Sequence, residues 1–220
     1  MNKSYCFNLF LCGTLLASFF NMLCDSVADP TDGFTPVRLT EDNFNLQRPY
    51  DVPLRKRYSF KNGVRRLWVY AHDKSHAPES HTKPRTEVRI KGLDYSSGVW
   101  QFEGNAYVPN GTTGVTIFQI FGAPKHTHAT TMMLRIHDGN MRYYSRDMVS
   151  PDIYDRWFKV NVIHDVDRGE IYVFIDGVQK YQTKGRGPGK FYFKCGVYAQ
   201  KNMSNYMESR WRDIKIYNKY

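Results

Sequence analysis

An all-β fold, a two-sheet β-sandwich of the jelly-roll type, is what this sequence predicts, on three observations. Aromatic and β-branched runs with period-two alternation follow one another from Leu67 onward. Turn formers separate these runs, and no stretch sustains a helical repeat of apolar residues. About ten short strands joined by hairpins, with no helices, leave a sandwich or jelly roll as the architecture.

At the N-terminus, an apolar stretch from Phe7 to Leu23 follows a start charged only at Lys3. Ser26-Val27-Ala28 then supplies a small-x-small cleavage site before Asp29. Residues 1–28 are expected to be a signal peptide, with an uncleaved membrane anchor as the alternative. No later segment is apolar enough to span a bilayer, so no transmembrane segment is expected after cleavage. Residues 29–62 are rich in turn formers, including Pro30, Gly33, Pro36, Pro49, Pro53 and Asn62-Gly63. They are expected to form an irregular arm packed on a jelly-roll domain of residues 63–220.

Within that domain, residues 72–84 read as a solvated loop. Its histidines, His72, His76 and His81, match no metal-ligand spacing, and no metal is expected. The strands are expected at Val99 to Val108, Gly114 to Phe121, Met132 to His137, Trp157 to His164 and Glu170 to Ile175. Asp138-Gly139-Asn140, Asp167-Arg168-Gly169 and Asp176-Gly177 mark the turns between them.

Cleavage would remove Cys6, Cys12 and Cys24 and leave Cys195 alone. Without a disulfide, stability must come from packing, and Cys195 reads as a small buried hydrophobe. The net charge of +10 predicts attraction to anions. Behind a signal peptide the expected partners are organic acids, acidic polysaccharide or anionic lipid, and not nucleic acid. Asn110 and Asn202 head N-glycosylation sequons. No motif implies a cofactor.

Three strands share a chemical logic. In Arg85-Thr86-Glu87-Val88-Arg89-Ile90, alternation puts Arg85, Glu87 and Arg89 on one face and Thr86, Val88 and Ile90 in the core. Two guanidiniums flanking a carboxylate form an ordered cluster with donors suited to an incoming carboxylate. A solvent-exposed charge ladder is the plainer reading of that segment by itself. In the second strand, Gln119 and Phe121 lie opposite the core-facing Phe118 and Ile120. In Tyr192 to Gln200, one face carries Tyr192, Lys194, Gly196, Tyr198 and Gln200, and Cys195 faces inward. Gly196 is expected to leave a gap through which a ligand approaches the backbone.

RTEVR, the Gln-Ile-x triplet and YFKCGVYAQ, in this order, resemble the signature strands of the alginate lyase family of β-jelly-roll polysaccharide lyases. The resemblance implies a concave sheet that binds a polyuronate chain. It implies that Arg85 and Gln119 neutralise the uronate carboxylate, with Glu87 and Arg89 in support. Lys194 would contact substrate, and Tyr198 would be the catalytic tyrosine. The family triplet ends in a histidine that acts as general base, whereas this chain has Phe121. Phenylalanine cannot accept a proton, and a general base is worth roughly two to four orders of magnitude in rate. Tyr198 serving as both base and acid, or His126 or His128 reaching the groove, are the remaining routes to catalysis.

The segments DPTDGF from Asp29, SSGVWQFEG from Ser96 and MESRW from Met207 resemble the plant citrate-binding proteins. That resemblance implies a soluble protein of the secretory pathway, in the vacuole ahead of the extracellular space or cell wall, engaged in citrate transport or storage, and the two sequons make it an expected glycoprotein. The expected function is thus non-catalytic binding of citrate or a related polycarboxylate by Arg85, Glu87, Arg89, Gln119, Lys194, Tyr198 and Gln200. Arg135 and His137 are added if their strand shares the face. The alternatives are a polyuronate lyase acting through Tyr198, and a module that binds acidic glycans without cleaving them.

Overall fold

A computed structural model describes residues 29–124 and 129–219. The signal segment and the pair His126 and His128 lie outside the described residues. In chain order the strands are β1 (Thr35–Val37), β2 (Phe44–Gln47), β3 (Tyr58–Lys61), β4 (Val64–Tyr70) and β5 (Arg85–Ile90). Then come β6 (Val99–Tyr107), β7 (Val115–Phe121), β8 (Thr130–His137), β9 (Asn140–Tyr143) and β10 (Asp147–Ser150). The last are β11 (Trp157–Asp165), β12 (Glu170–Ile175), β13 (Val178–Lys184), β14 (Tyr192–Ala199) and β15 (Tyr206–Lys219).

They form two antiparallel sheets. The seven-stranded sheet runs β10-β9-β8-β7-β14-β5-β2, and the eight-stranded sheet runs β13-β12-β11-β6-β15-β4-β3 with β1 on β15. The three signature segments become β5, β7 and β14, which lie side by side. Among the described residues no helix is long and apolar enough to cross a membrane.

Residues 29–62 are less irregular than expected, since they contain β1, β2 and β3. Two of these strands join the eight-stranded sheet and one closes an edge of the other, so the segment ties both layers together. Strands of three or four residues are too short for alternation to show, and the prolines hid them. Pro36 is tolerated in β1 because that strand has a free edge.

The turn signals at Asp138-Gly139 and Asp176-Gly177 work as read, with positive φ at both positions, the requirement of the tight turn that matches strand twist. Asn62-Gly63, read only as a turn former in the arm, has the same conformation and makes the β3–β4 hairpin. Between the sheets lies one apolar core. Phe102 from the eight-stranded sheet meets Phe118 and Phe193 from the other at ring separations of 4.8 and 6.0 Å. Polar bonds also cross the layers: Thr86 Oγ1 donates to the Trp68 carbonyl, and Ser209 Oγ donates to the Gly196 carbonyl at 2.8 Å. Cys195 is fully buried, and burial pushes its thiol pKa up, so it packs as an inert hydrophobe.

Gly196 has a different role from the one expected. Its φ is +139°, and a Cβ there would fall 2.4 Å from the Thr86 carbonyl oxygen. The residue sits in a bulge where β14 shifts register against β7 between Cys195 and Tyr198. Close backbone packing, and not ligand access, demands glycine at this position.

One buried titratable group makes the fold sensitive to acid. His164 is 2% exposed, packed edge-on against Phe191 at 4.6 Å, with Nδ1 3.1 Å from the Tyr95 hydroxyl. Burial pushes its pKa down from 6.5 to about 4. The unfolded chain takes up this proton near 6.5 and the folded chain only near 4, so stability rises with pH across that window. The contribution amounts to at most about 3 kcal/mol. Denaturant titrations at pH 7 and pH 4 should show His164→Gln losing less stability on acidification than the parent. Equal losses in both proteins would contradict this.

Candidate functional site

The outward face of the seven-stranded sheet gathers the predicted residues. Register places Arg142, Arg135, Thr116, Tyr198 and Arg85 in one row across β9, β8, β7, β14 and β5. A second row runs Met133, Gln119, Lys194, Arg89 and Asn45. Glu87 stands between the rows, opposite Gly196.

Glu87 organises its neighbours. It is fully buried, and Lys194 Nζ donates to its Oε2 at 2.6 Å. Arg85 Nη1 donates to the same oxygen at 3.3 Å, and Gln119 Nε2 donates to Oε1. Thr130 Oγ1 in turn donates to Gln119 Oε1. One carboxylate thus joins three strands, and its bonds are charge-assisted. Burial pulls the Lys194 pKa down, and the charge of Glu87 opposes that pull.

This arrangement changes the expectation of an open cationic groove at the signature strands. Glu87 and Lys194 are buried, and Arg85 is only 6% exposed. Arg85 and Lys194 share one carboxylate, which leaves a net charge of one. Arg89 is half-buried and paired with Asp94 at 2.7 Å. Both arginines are clamped on aromatic rings, Arg85 over Tyr198 at 3.7 Å and Arg89 over Tyr192 at 3.8 Å. Alternation and the family resemblance together put these side chains on one face but did not show that they would neutralise and bury one another.

Phe121 stacks on Tyr192 with ring centroids 5.0 Å apart and planes 22° from parallel. An aromatic pair therefore fills the position at which the sequence resemblance leads one to expect a histidine. Tyr198 is half-buried beneath Arg85. Gln200 falls just past β14, where its side-chain amide donates back to the Tyr198 carbonyl at 3.3 Å. Asn110 and Asn202 are both exposed on turns.

Arg135 shares the outward face, as its row shows, and Tyr198 lies within reach of its charge. His137, two residues along the same strand, is half-buried with Nε2 unpartnered. Burial first, and then Arg135, lower the pKa of His137.

His76 was read as part of a solvated loop, yet it approaches the site. Its Nδ1 is buried without a partner. Burial lowers its pKa, and the charges of Arg85 and Lys194 add to the effect. Nothing in the local sequence signals this, because His76 comes near Arg85 and Lys194 only through the fold. Among the described residues no three histidine, cysteine or acidic side chains cluster as metal ligands would.

The sequence model of the family described as alginate lyase matches residues 37–218. This chain belongs to the alginate lyase family. Within the family, it is 56% identical to a protein of Hevea brasiliensis named citrate-binding protein, over 97% of this chain and 89% of that one. The fold matches alginate lyase AlgAT5 of polysaccharide lyase family 7 with a TM-score of 0.65 at 16% identity. That match covers 86% of this chain and 98% of the other. Alginate lyase PA1167 of Pseudomonas aeruginosa matches with a TM-score of 0.61 at 17% identity, covering 82% of this chain and all of the other. At these identities the lyase structures establish the shared jelly roll and nothing finer.

The geometry of Glu87 predicts an asymmetric mutational response. Glu87→Gln leaves Lys194 buried without its counter-ion and should cost about 3 kcal/mol or more. Adding Lys194→Met to that variant should recover part of the loss. Chemical denaturation measures both, and a double variant weaker than Glu87→Gln alone would contradict the account.

Proposed function

We propose that this protein holds citrate or a related polycarboxylate on the outward face of the seven-stranded sheet and does not cleave a glycan there. Phe121 carries this reading. Where the alginate lyase family has a proton acceptor, this chain has a ring stacked on Tyr192. β-Elimination needs a base beside the carboxylate, whereas binding needs only cations and hydrogen-bond donors. The 56% identity to a protein named for binding citrate supports the same ligand class.

The net charge of +10 favours an anionic ligand, and guanidiniums already fixed on an aromatic ring, as Arg135 and Arg186 are on Tyr144, give up little freedom on binding. With the Ser26-Val27-Ala28 cleavage site, the reading extends to a secreted or vacuolar protein that carries or stores citrate. A second reading, elimination on an acidic polysaccharide, has one observation in its favour. His76, its Nδ1 buried without a partner, is held towards its neutral form by burial and by the charges of Arg85 and Lys194, as a base would need to be.

Two measurements on the full chain separate these readings. Titration calorimetry should show saturable citrate binding that weakens as salt rises. Incubation with polyglucuronate, polymannuronate and pectate should give no ultraviolet absorbance from an unsaturated uronate. A rise in absorbance abolished by Tyr198→Phe would overturn the binding reading in favour of the lyase.

A further inference from the structure

The uncompensated positive charge of the site lies away from the signature strands. Beyond β8, a cavity of about 570 Å³ is lined by Thr130, Met133, Arg135, Tyr144, Arg146 and Arg186, among others. Its lining contains three arginines and no acidic residue. Among the described residues no carboxylate pairs with any of the three, whereas Arg85, Lys194 and Arg89 all have acidic partners.

The guanidiniums are held by neutral groups that leave their charge intact. Arg135 lies 5.1 Å over the Tyr144 ring, and Arg186 lies 4.6 Å over the same ring. Arg135 Nη1 donates to Ser145 Oγ at 2.9 Å, and its Nε is buried with no partner. The Tyr144 hydroxyl donates to the Thr130 carbonyl at 2.6 Å, which fixes the ring that carries both arginines. The backbone N–H of Arg186 donates to Thr131 Oγ1 at 3.0 Å, anchoring its loop on β8. Partly buried guanidiniums with free donors and no counter-ion form a built anion site.

We infer that this three-arginine cavity is the seat of a small polycarboxylate, with Arg135 and Arg186 gripping its carboxylates and Arg146 at the rim. The inference rests on the polycarboxylate reading above and places the ligand within the sheet. Three strand spacings separate Arg135 from Arg85, about 14 Å of backbone. Arg85 is turned onto Tyr198 and Glu87, and Arg135 onto Ser145 and Tyr144. The five-carbon spine of citrate spans only about 5 Å at ordinary bond lengths. A tricarboxylate must therefore choose one end of the row, and the end without acids attracts it more strongly.

Citrate calorimetry on the full chain and three variants tests the placement. Arg135→Ala and Arg186→Ala should each weaken binding by about tenfold to a hundredfold. Arg85→Ala should stay within about threefold of the parent, less than one charge-assisted bond is worth. A loss in Arg85→Ala equal to or greater than that in Arg135→Ala would overturn the inference while leaving the function standing. Absence of citrate binding by the folded parent would instead defeat the function on which it rests. Should a variant fail to fold, an arginine-directed dicarbonyl reagent applied to the parent gives a second readout. Citrate should shield Arg135 and Arg186 but not Arg168 at the other sheet, and unshielded Arg135 and Arg186 would overturn the inference.

Discussion

The buried carboxylate of Glu87 is the constraint on which the ligand face depends. A glutamate with no exposure must be compensated, and here Arg85, Lys194 and Gln119 supply the compensation from three adjacent strands. These bonds fix where the groups sit and occupy most of what they could offer a ligand. The arrangement is a rigid floor, closed on its inner side by the Gly196 bulge packed against Thr86. An anion arriving from solvent meets a surface whose charge at this end is largely balanced.

The charge that remains available lies across the sheet. Tyr144 carries two guanidiniums and gives them no counter-ion, so their field extends into the cavity. Burial lowers the Arg135 pKa from its ordinary value, yet a guanidinium stays charged at any physiological pH. With Phe121 in place of a proton acceptor, the two ends of the face divide their roles. One end is structural and keeps a net charge of only one, and the other, on our proposal, holds the anion.

Much of this was legible in the sequence, and the physical reasons for the rest are specific. Alternation put Arg85, Glu87, Arg89, Gln119, Lys194 and Tyr198 on the outward faces of their own strands, each of six or more residues, and the family resemblance brought those three faces together. The Asp-Gly pairs located hairpins because positive φ fits those turns, whereas the hairpin at Asn62-Gly63 was hidden in a segment read as irregular. Strands β1 to β3 were missed because short edge strands carry no period. The mutual burial of Glu87 and Lys194 could not be read, since they lie far apart in the chain and meet only through register. Arg186 and His76 sit in loops, where no periodicity says which way a side chain turns.

If the acid-free end of the outward face receives a carboxylate ligand without chemistry, the arginines of that end must respond to citrate. The most direct measurement is a citrate titration followed through the arginine Nε–H resonances in nuclear magnetic resonance spectra. The account predicts saturable shifts at Arg135 and Arg186, with Arg168 at the opposite sheet unmoved. Saturation with citrate while Arg135 and Arg186 stay unperturbed would contradict it.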